Sequence, residues 1–137
     1  LIFQIMIQRL QSIFIFLFVL TSFLAYIYLP EKQFFVLDLN SIKVDFYSFI
    51  LIFGVVFGLV TFFMFKNRNR QLLFTKILIV CQLFLIIFSI YNFFHFHYSL
   101  YKDLSIFIIA TGLIFLLFGY KYIKKDIDLI NSIDRIR

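Results

Sequence analysis

The chain has 137 residues, of which 64% are hydrophobic and 23 are Phe, so it has room for one domain and little mass outside an apolar core. Its net charge of +6 is not a sign of nucleic-acid binding, because the Lys and Arg residues flank long apolar segments, where lipid headgroups and membrane topology account for them. The single cysteine, Cys81, excludes a disulfide framework. The composition therefore predicts a single integral membrane domain over residues 1–137.

Four segments approach the length of about 20 apolar residues with which an α-helix crosses a bilayer, and each lacks Asp, Glu, Lys, Arg and His. They are Leu10–Leu29, Phe46–Phe65, Ile77–Phe94 and Leu104–Tyr120. Of the 13 Lys and Arg residues, all but Lys32, Lys43 and Lys102 fall on one side of a four-span arrangement. By the positive-inside rule, both termini and the middle loop are cytoplasmic. The predicted fold class is an all-α membrane protein, a bundle of four transmembrane helices.

The residues before the first span mix apolar side chains with amides and one arginine. Gln8, Arg9 and Gln11 are predicted to lie at the inner headgroup level, where the Arg9 side chain reaches lipid phosphates. Met6 is a plausible native start, which makes the five residues before it an upstream extension to which we assign no function.

The first outer loop alternates apolar and polar residues with a strand period. If Asn40 and Ser41 form a two-residue turn, a β-hairpin results that has its apolar residues on one face. The cross-strand pairs are then Leu39 with Ile42, Leu37 with Val44, Phe35 with Phe46, and Asp38 with Lys43 on the polar face. An irregular loop is the alternative.

Small and polar residues inside the spans predict contacts between helices. Gly54 and Gly58 form a GxxxG motif, which favours close packing within the chain over a dedicated dimer face. Gln82 is the deepest strongly polar residue, and an amide in hydrocarbon needs a partner. It is therefore predicted to face another helix.

The segment 121–137 is polar but keeps a helical period, so it is predicted to be an amphipathic cytoplasmic helix that can be continuous with the fourth span. Lys124 and Asp128 have the i,i+4 spacing of an ion pair. The helix can lie on the membrane or contact protein, and its three acidic residues favour protein. That protein is either the chain's own basic loop and Arg9, or another subunit. The recurring apolar residues are Ile123, Ile127, Ile130, Ile133 and Ile136.

Both ends of the chain carry recognisable motifs, Met6-Ile-Gln-Arg-Leu-Gln-Ser and Asp128-Leu-Ile-Asn-Ser-Ile-Asp-Arg-Ile-Arg137. With four spans of this length between them, they resemble the small bacterial membrane proteins grouped as domain of unknown function 4293. The resemblance covers Met6 to Arg137 and implies a four-span protein of the bacterial inner membrane. It implies no activity, cofactor or catalytic residue.

The two ends are also predicted to meet. Because both are cytoplasmic, we expect Gln8, Arg9 and Gln11 to contact the tail around Asp134, closing the bundle or forming one docking surface. The residues with a predicted role in contacts are Gln8, Arg9, Gln11, Gly54, Gly58, Gln82, Ile127, Ile130, Asp134 and Arg135.

Three function classes remain. Transport normally needs ionisable groups within the spans, so the chain is expected to act as a transporter or channel only as an oligomer. Membrane-enzyme chemistry is restricted to an outer-face metal site made of His95, His97 and Asp103, and Cys81 lies too far from the histidines to pair with them. The favoured class is a non-catalytic accessory or scaffold subunit of a larger inner-membrane complex, with protein export and envelope assembly as candidate machineries. Its expected partners are membrane lipids and other inner-membrane subunits, with no nucleic acid, no cofactor and no identified small-molecule substrate.

Overall fold

The computed structural model is mainly α-helical. It describes residues 2–28, 36–39, 42–65, 67–95 and 101–134, and the side-chain surroundings of residues 10–28, 48–65, 67–91 and 106–132. Within this part of the chain there are four helices, as the sequence predicts. The elements are α1 (Ile2–Ile27), β1 (Val36–Leu39), β2 (Ile42–Asp45), α2 (Phe46–Phe63), α3 (Arg68–His95) and α4 (Tyr101–Asp134).

Three of the helices contain stretches that are long and apolar enough to cross a membrane. These stretches are Leu10–Ile27, Arg68–Tyr91 and Ile106–Ser132. In α2 the described apolar stretch, Ser48–Phe63, is shorter.

The helices form a closed ring in which each packs against two antiparallel neighbours: α1 and α3 each contact both α2 and α4. Between α1 and α4, the Phe14 ring stacks on Phe118 and on Tyr122, with centroids 5.5 and 5.4 Å away. Between α2 and α3, the rings of Phe57 and Phe74 meet edge to face at 5.5 Å. The arrangement is an up-down-up-down four-helix bundle.

Buried residues recur every three or four positions on every helix, which is the spacing that keeps one stripe of a helix facing its neighbours. We refer to these stripes as the buried seams. In the described side chains they comprise Gln11, Ile15, Phe18, Ser22 and Ala25 on α1; Leu51, Gly54, Gly58 and Thr61 on α2; Gln71, Thr75, Leu78, Gln82, Leu85 and Ser89 on α3; and Ile109, Gly112, Leu116, Gly119, Ile123 and Asp126 on α4.

The polarity of the bundle is inverted relative to a water-soluble domain. The seams contain many small and polar residues, whereas large apolar side chains cover the outside: Phe63 is 70% exposed, Phe107 is 69% exposed, and Val80 and Ile87 are each 66% exposed. A surface of this kind needs apolar surroundings. Small seam residues are also typical of helix contacts in membranes, since they let backbones approach closely.

Three helices are longer than the predicted spans, and α1 begins at Ile2 instead of Leu10. α3 begins at Arg68 and not at Ile77, so Arg68, Arg70 and Lys76 belong to a helix. The sequence predicts a basic loop over Lys66–Gln71, and this prediction is wrong from Arg68 onward. The connection before it is a tight turn in which the Asn67 N–H donates to the Met64 carbonyl at 3.0 Å. α4 continues without a break to Asp134, so the amphipathic tail is an extension of the fourth span.

The first outer loop contains the two short strands, which pair antiparallel with Leu37 opposite Val44 and Leu39 opposite Ile42. Asp38 is opposite Lys43 in the same register. Phe46, predicted to pair with Phe35, begins α2. The predicted turn residues Asn40 and Ser41, and Phe35, lie outside the described residues.

Candidate functional site

The cations whose side-chain surroundings are described gather at one end of the bundle, where α1 begins, α2 ends, α3 begins and α4 ends. We refer to this end as the basic end. Its exposed cations are Arg70, Lys76, Lys121, Lys124 and Lys125, and Arg68 is partly exposed.

An ion pair joins α3 to α4 at the basic end. Arg68 Nε lies 2.9 Å from Asp126 Oδ2, the Arg68 side chain is 20% exposed, and the Asp126 side chain is completely buried. Neither carboxylate oxygen makes an aligned hydrogen bond within the described residues, so the contact is mainly electrostatic. The predicted pair of Lys124 and Asp128 is not formed: both residues are exposed, and the ion pair of the described region is Arg68–Asp126.

Amide and hydroxyl groups continue from this ion pair into the bundle. Gln71 Nε2 donates to the Thr61 carbonyl of α2 at 3.3 Å, and Thr75 Oγ1 donates to the Gln71 carbonyl at 3.1 Å. Gln71 Oε1 is buried without a partner among the described residues. The start of α3 is thus joined to α2 by the hydrogen bond between Gln71 and Thr61, and to α4 by the ion pair between Arg68 and Asp126.

Gln11 lies in the α1 seam. It is completely buried, and neither of its side-chain polar atoms has a hydrogen-bond partner within the described part of the chain. A buried amide without partners has a cost of about 1–3 kcal/mol. Such a group is unusual in the interior of a bundle.

An open groove of about 710 Å³ lies between the start of α3 and the last turns of α4. Its wall combines apolar, amide and guanidinium groups. The lining residues are Phe65, Asn67, Arg68, Asn69, Arg70, Ile127, Ile130 and Asn131. Ile127 and Ile130 were predicted to form the contact face of the tail, and the structure places both against this groove.

The middle of the bundle is packed much more tightly. Gln82 Nε2 donates to the Ile109 carbonyl of α4 at 3.0 Å, so the prediction that Gln82 faces another helix is confirmed. A Cβ atom added to Gly112 would lie 3.0 Å from Thr21 Oγ1 and 3.2 Å from Gln82 Nε2. Three helices therefore approach one another closely at this level.

The two glycines of the GxxxG motif face α1. A Cβ atom at Gly58 would lie only 2.7 Å from Val19 Cγ2, and one at Gly54 would lie 3.8 Å from Phe18 Cζ. The motif therefore serves packing within the chain, as predicted.

The predicted meeting of the two chain ends falls largely outside the described side chains. Gln8, Arg9 and Asp134 lie in helices without described side chains, and Arg135 lies outside the described residues. The helix register is nevertheless informative: Thr21 faces Gly112. Continuing this antiparallel register places the Arg9 backbone near the level of residue 124, about 15 Å along the axis from Asp134 at 1.5 Å per residue. The register therefore places the Arg9 backbone level with an earlier part of the tail than Asp134.

Arg68, Gln71 and Asp126 were not predicted as site residues. The spacing of the seams could have predicted that two of them are buried. Gln71 precedes Thr75 and Leu78 on α3 at this spacing. Asp126 follows Gly119 and Ile123 on α4 at the same spacing. The contact between Arg68 and Asp126 needs the register of α3 against α4, which a single sequence does not provide.

Among the described residues, no group of three or more His, Cys, Asp or Glu side chains is placed to hold a metal ion. Of the residues considered for an outer-face metal site, His97 lies outside the described residues, and His95 and Asp103 lie in helices without described side chains.

These features define a class: a small antiparallel helical bundle with an apolar exterior, small and polar seams, and one basic end. Residues 7–136 match the family model of the domain of unknown function 4293 (DUF4293), so the chain belongs to this family. Comparison with curated proteins and with solved structures finds no match.

Proposed function

We propose that the chain is a non-catalytic accessory or scaffold subunit of a larger complex in the bacterial inner membrane, with four spans and with both termini and the α2–α3 connection in the cytoplasm. The apolar exterior supports insertion in a bilayer. The collection of cations at one end supports the orientation, because Lys and Arg in short loops stay on the cytoplasmic side.

The observation that carries the proposal is the length of α4. The helix continues from Lys121 to Asp134 without a break. At 1.5 Å per residue this extension projects about 20 Å beyond the first exposed cation of the helix. It is anchored about 8 Å along its length by the buried Asp126, which forms an ion pair with Arg68 of α3. An anchored projection of this kind offers a rigid contact surface to a cytoplasmic or membrane-bound partner.

The packing of the bundle interior argues against conduction through a single copy. Phe18 and Leu116 are completely buried in the seams, and Leu78 is 1% exposed. These side chains fill the space between the helices at the middle of the bundle. A solute path would therefore need to lie between copies.

Photocrosslinking in living bacteria tests the proposal. A photoreactive amino acid at Asp128 or Ser132, both exposed on the projection, is expected to give discrete adducts with one partner protein. The same amino acid at Ile87 or Phe107, on the apolar exterior, is the matched control and is expected to give lipid adducts. Mass spectrometry of the adducts identifies the partner.

The proposal fails if the projection positions give adducts only with further copies of the chain, or the same pattern as the exterior positions. A truncation after Asp126 retains the ion pair with Arg68, so it is expected to abolish the protein adducts while the chain still inserts in the membrane. Retention of a partner by this truncated chain would also contradict the proposal.

A further inference from the structure

The groove at the basic end lies at and beyond the level of the ion pair, on the side that points away from the bundle middle. Asp126 contacts Arg68, so these two residues are level with each other. From there α4 runs outward, which places the groove residues Ile127 and Ile130 about 1.5 and 6 Å further out along the helix. On α3 the chain runs inward, so Arg70 lies about 3 Å closer to the bundle middle than Arg68.

The third apolar residue of the groove, Phe65, belongs to the tight turn that precedes α3. In this turn the Asn67 N–H donates to the Met64 carbonyl, and α3 runs inward from Arg68. Phe65 therefore lies near the level of Asn67, outside both arginines, and it is 50% exposed. The apolar wall of the groove thus lies at or beyond the level of the ion pair.

This apolar wall is separated from the apolar exterior of the bundle. Among the described side chains, the outermost large apolar residues that are well exposed are Leu73 on α3 and Phe118 on α4. Ile127 lies about 14 Å beyond Phe118 along α4 and about 9 Å beyond the level of Leu73, and Ile130 lies about 5 Å further out. The headgroup layer of one leaflet is only about 5–8 Å thick. In the inserted bundle, acyl chains therefore end before they reach Ile127 and Ile130.

The positive charge of the groove is balanced only in part. Asp126 contacts Arg68 at Nε, so the two terminal nitrogens of this guanidinium are not part of the ion pair. Arg70 is exposed and forms no ion pair with a residue whose side chain is described. Guanidinium groups bind carboxylates through paired, charge-assisted hydrogen bonds. The groove therefore combines a site for carboxylates with an apolar wall in water.

We propose that this groove binds an acidic, amphipathic segment of the partner protein. Carboxylates of the segment pair with Arg70 and with the terminal nitrogens of Arg68, and large apolar side chains of the segment pack on Ile127, Ile130 and Phe65. A protein segment presents both kinds of group on one face within a few residues. The inference rests on the proposed accessory function, and it gives the chemistry of the partner.

Other occupants match the groove less well. A small anion such as inorganic phosphate binds the arginines but leaves the apolar wall in water. The headgroup of a phospholipid reaches Arg70, but its acyl chains stay on the inner side of the groove. A second copy would bring another basic end, where Asp128 is the only exposed acid among the described side chains and five cations are exposed. Like charges that face each other disfavour such a pair.

Photocrosslinking from two positions in the full-length chain tests this site in living bacteria. Asn69 is exposed and lines the groove, whereas Ser132 is exposed on the projection and does not line it. A photoreactive amino acid at Asn69 is expected to give an adduct with the same protein as one at Ser132. Mass spectrometry is expected to locate the Asn69 crosslink in a segment of the partner that has Asp or Glu and large apolar residues within one or two helical turns.

Two variants with the same loss of charge show whether the arginines hold the segment. Arg70→Gln is expected to lower the yield of the Asn69 adduct about fivefold, because loss of a charge-assisted hydrogen bond weakens binding about tenfold. Lys125→Gln removes an exposed cation of α4 outside the groove and is expected to change the yield less than about twofold. Arg70→Lys is expected to give an intermediate loss, since it keeps the charge without the planar guanidinium. Equal melting temperatures of the purified variants show that the fold is retained.

Several outcomes overturn the inference. Protein adducts from Ser132 but none from Asn69 show that the partner binds elsewhere, which leaves the proposed accessory function intact. An absence of protein adducts at both positions contradicts that function as well. Adducts of Asn69 with lipid, with a second copy or with a segment that has no acidic residue show a different occupant. Equal losses in Arg70→Gln and Lys125→Gln show that the attraction is diffuse.

Discussion

The middle of the bundle and its basic end both bury polar side chains, but they accommodate them in opposite ways. In the middle, Gln82 reaches the Ile109 carbonyl and Gly112 lets three helices approach closely. At the basic end, Asp126 depends on one cation, and Gln11 has no described partner. The middle therefore holds three helices together through close contacts, whereas the basic end is the part of the bundle for which we propose contacts with a partner.

The largest loss of stability is expected when the ion pair at the basic end is removed. Asp126→Ala leaves Arg68 without its counter-ion, and loss of one member of a buried pair has a cost of about 3 kcal/mol, at the lower end of the usual range because Arg68 is partly exposed. The free energy of unfolding, measured by SDS titration of the purified protein, checks this value. Asp128→Ala, an exposed acid on the same helix, is the control and is expected to change stability by less than about 0.5 kcal/mol.

An apolar contact of similar volume is expected to replace the stability that the ion pair contributes. Arg68→Met combined with Asp126→Leu is therefore expected to recover most of the stability lost in Asp126→Ala. A double variant less stable than Asp126→Ala would show that the Arg68 charge has a separate stabilising role. If Asp126→Ala lowers the free energy of unfolding no more than Asp128→Ala does, the ion pair does not stabilise the basic end.

The next effect tests the tight packing of the bundle middle. Gly58→Ala places a methyl group 2.7 Å from the branched, buried Val19 side chain. Moving α1 away from α2 is expected to cost about 1–3 kcal/mol of unfolding free energy. Gly54→Ala is the matched control, because its methyl group meets Phe18 at an ordinary distance of 3.8 Å. That variant is expected to be neutral or up to about 1 kcal/mol more stable, since Ala favours a helix over Gly. Equal effects of the two substitutions would contradict the close contact at Gly58.

The smallest effect concerns the interhelical hydrogen bond of Gln82. Gln82→Met keeps the side-chain length but removes the donor to the Ile109 carbonyl. Such bonds in membranes contribute about 1 kcal/mol, which is the expected loss in the same SDS titration. Leu83→Met, on the exposed neighbouring position, controls for the introduced side chain. A loss no larger than that of the control would show that close packing alone holds α3 on α4.

The helices were predictable from sequence because apolar length and the absence of charge are local properties. Helix ends were harder to predict: the start of α3 carries Arg68 and Arg70, whose polarity resembles a loop, yet the helix begins at Arg68 and the Gln71 N–H donates to the Asn67 carbonyl. The buried Gln71 side chain also donates to the Thr61 carbonyl of α2, a contact that residue polarity does not show.

The candidate site was predictable only in part. Ile127 and Ile130 were found from the helical period of the tail, and the groove contains both. Asp126 was considered only as one of the three acidic residues of the amphipathic tail, but its place in the seam after Gly119 and Ile123 buries it. Its partner Arg68 lies on a different helix, so the pair follows from the register between α3 and α4 and not from any local pattern.

The central proposal is that the bundle is inserted in a membrane and that its basic end lies in the cytoplasm, where it contacts a partner. Cysteine labelling in a Cys81→Ser background tests it most directly, with single cysteines replacing Asn69 and Asn131 at the basic end and Asp38 in β1. In bacteria whose outer membrane is permeabilised and whose inner membrane is intact, a membrane-impermeant maleimide is expected to label only the Asp38→Cys protein. The Asn69→Cys and Asn131→Cys proteins are expected to react only after the inner membrane is permeabilised. Labelling of Asn69→Cys or Asn131→Cys before permeabilisation would place the basic end outside the cytoplasm and contradict the claim.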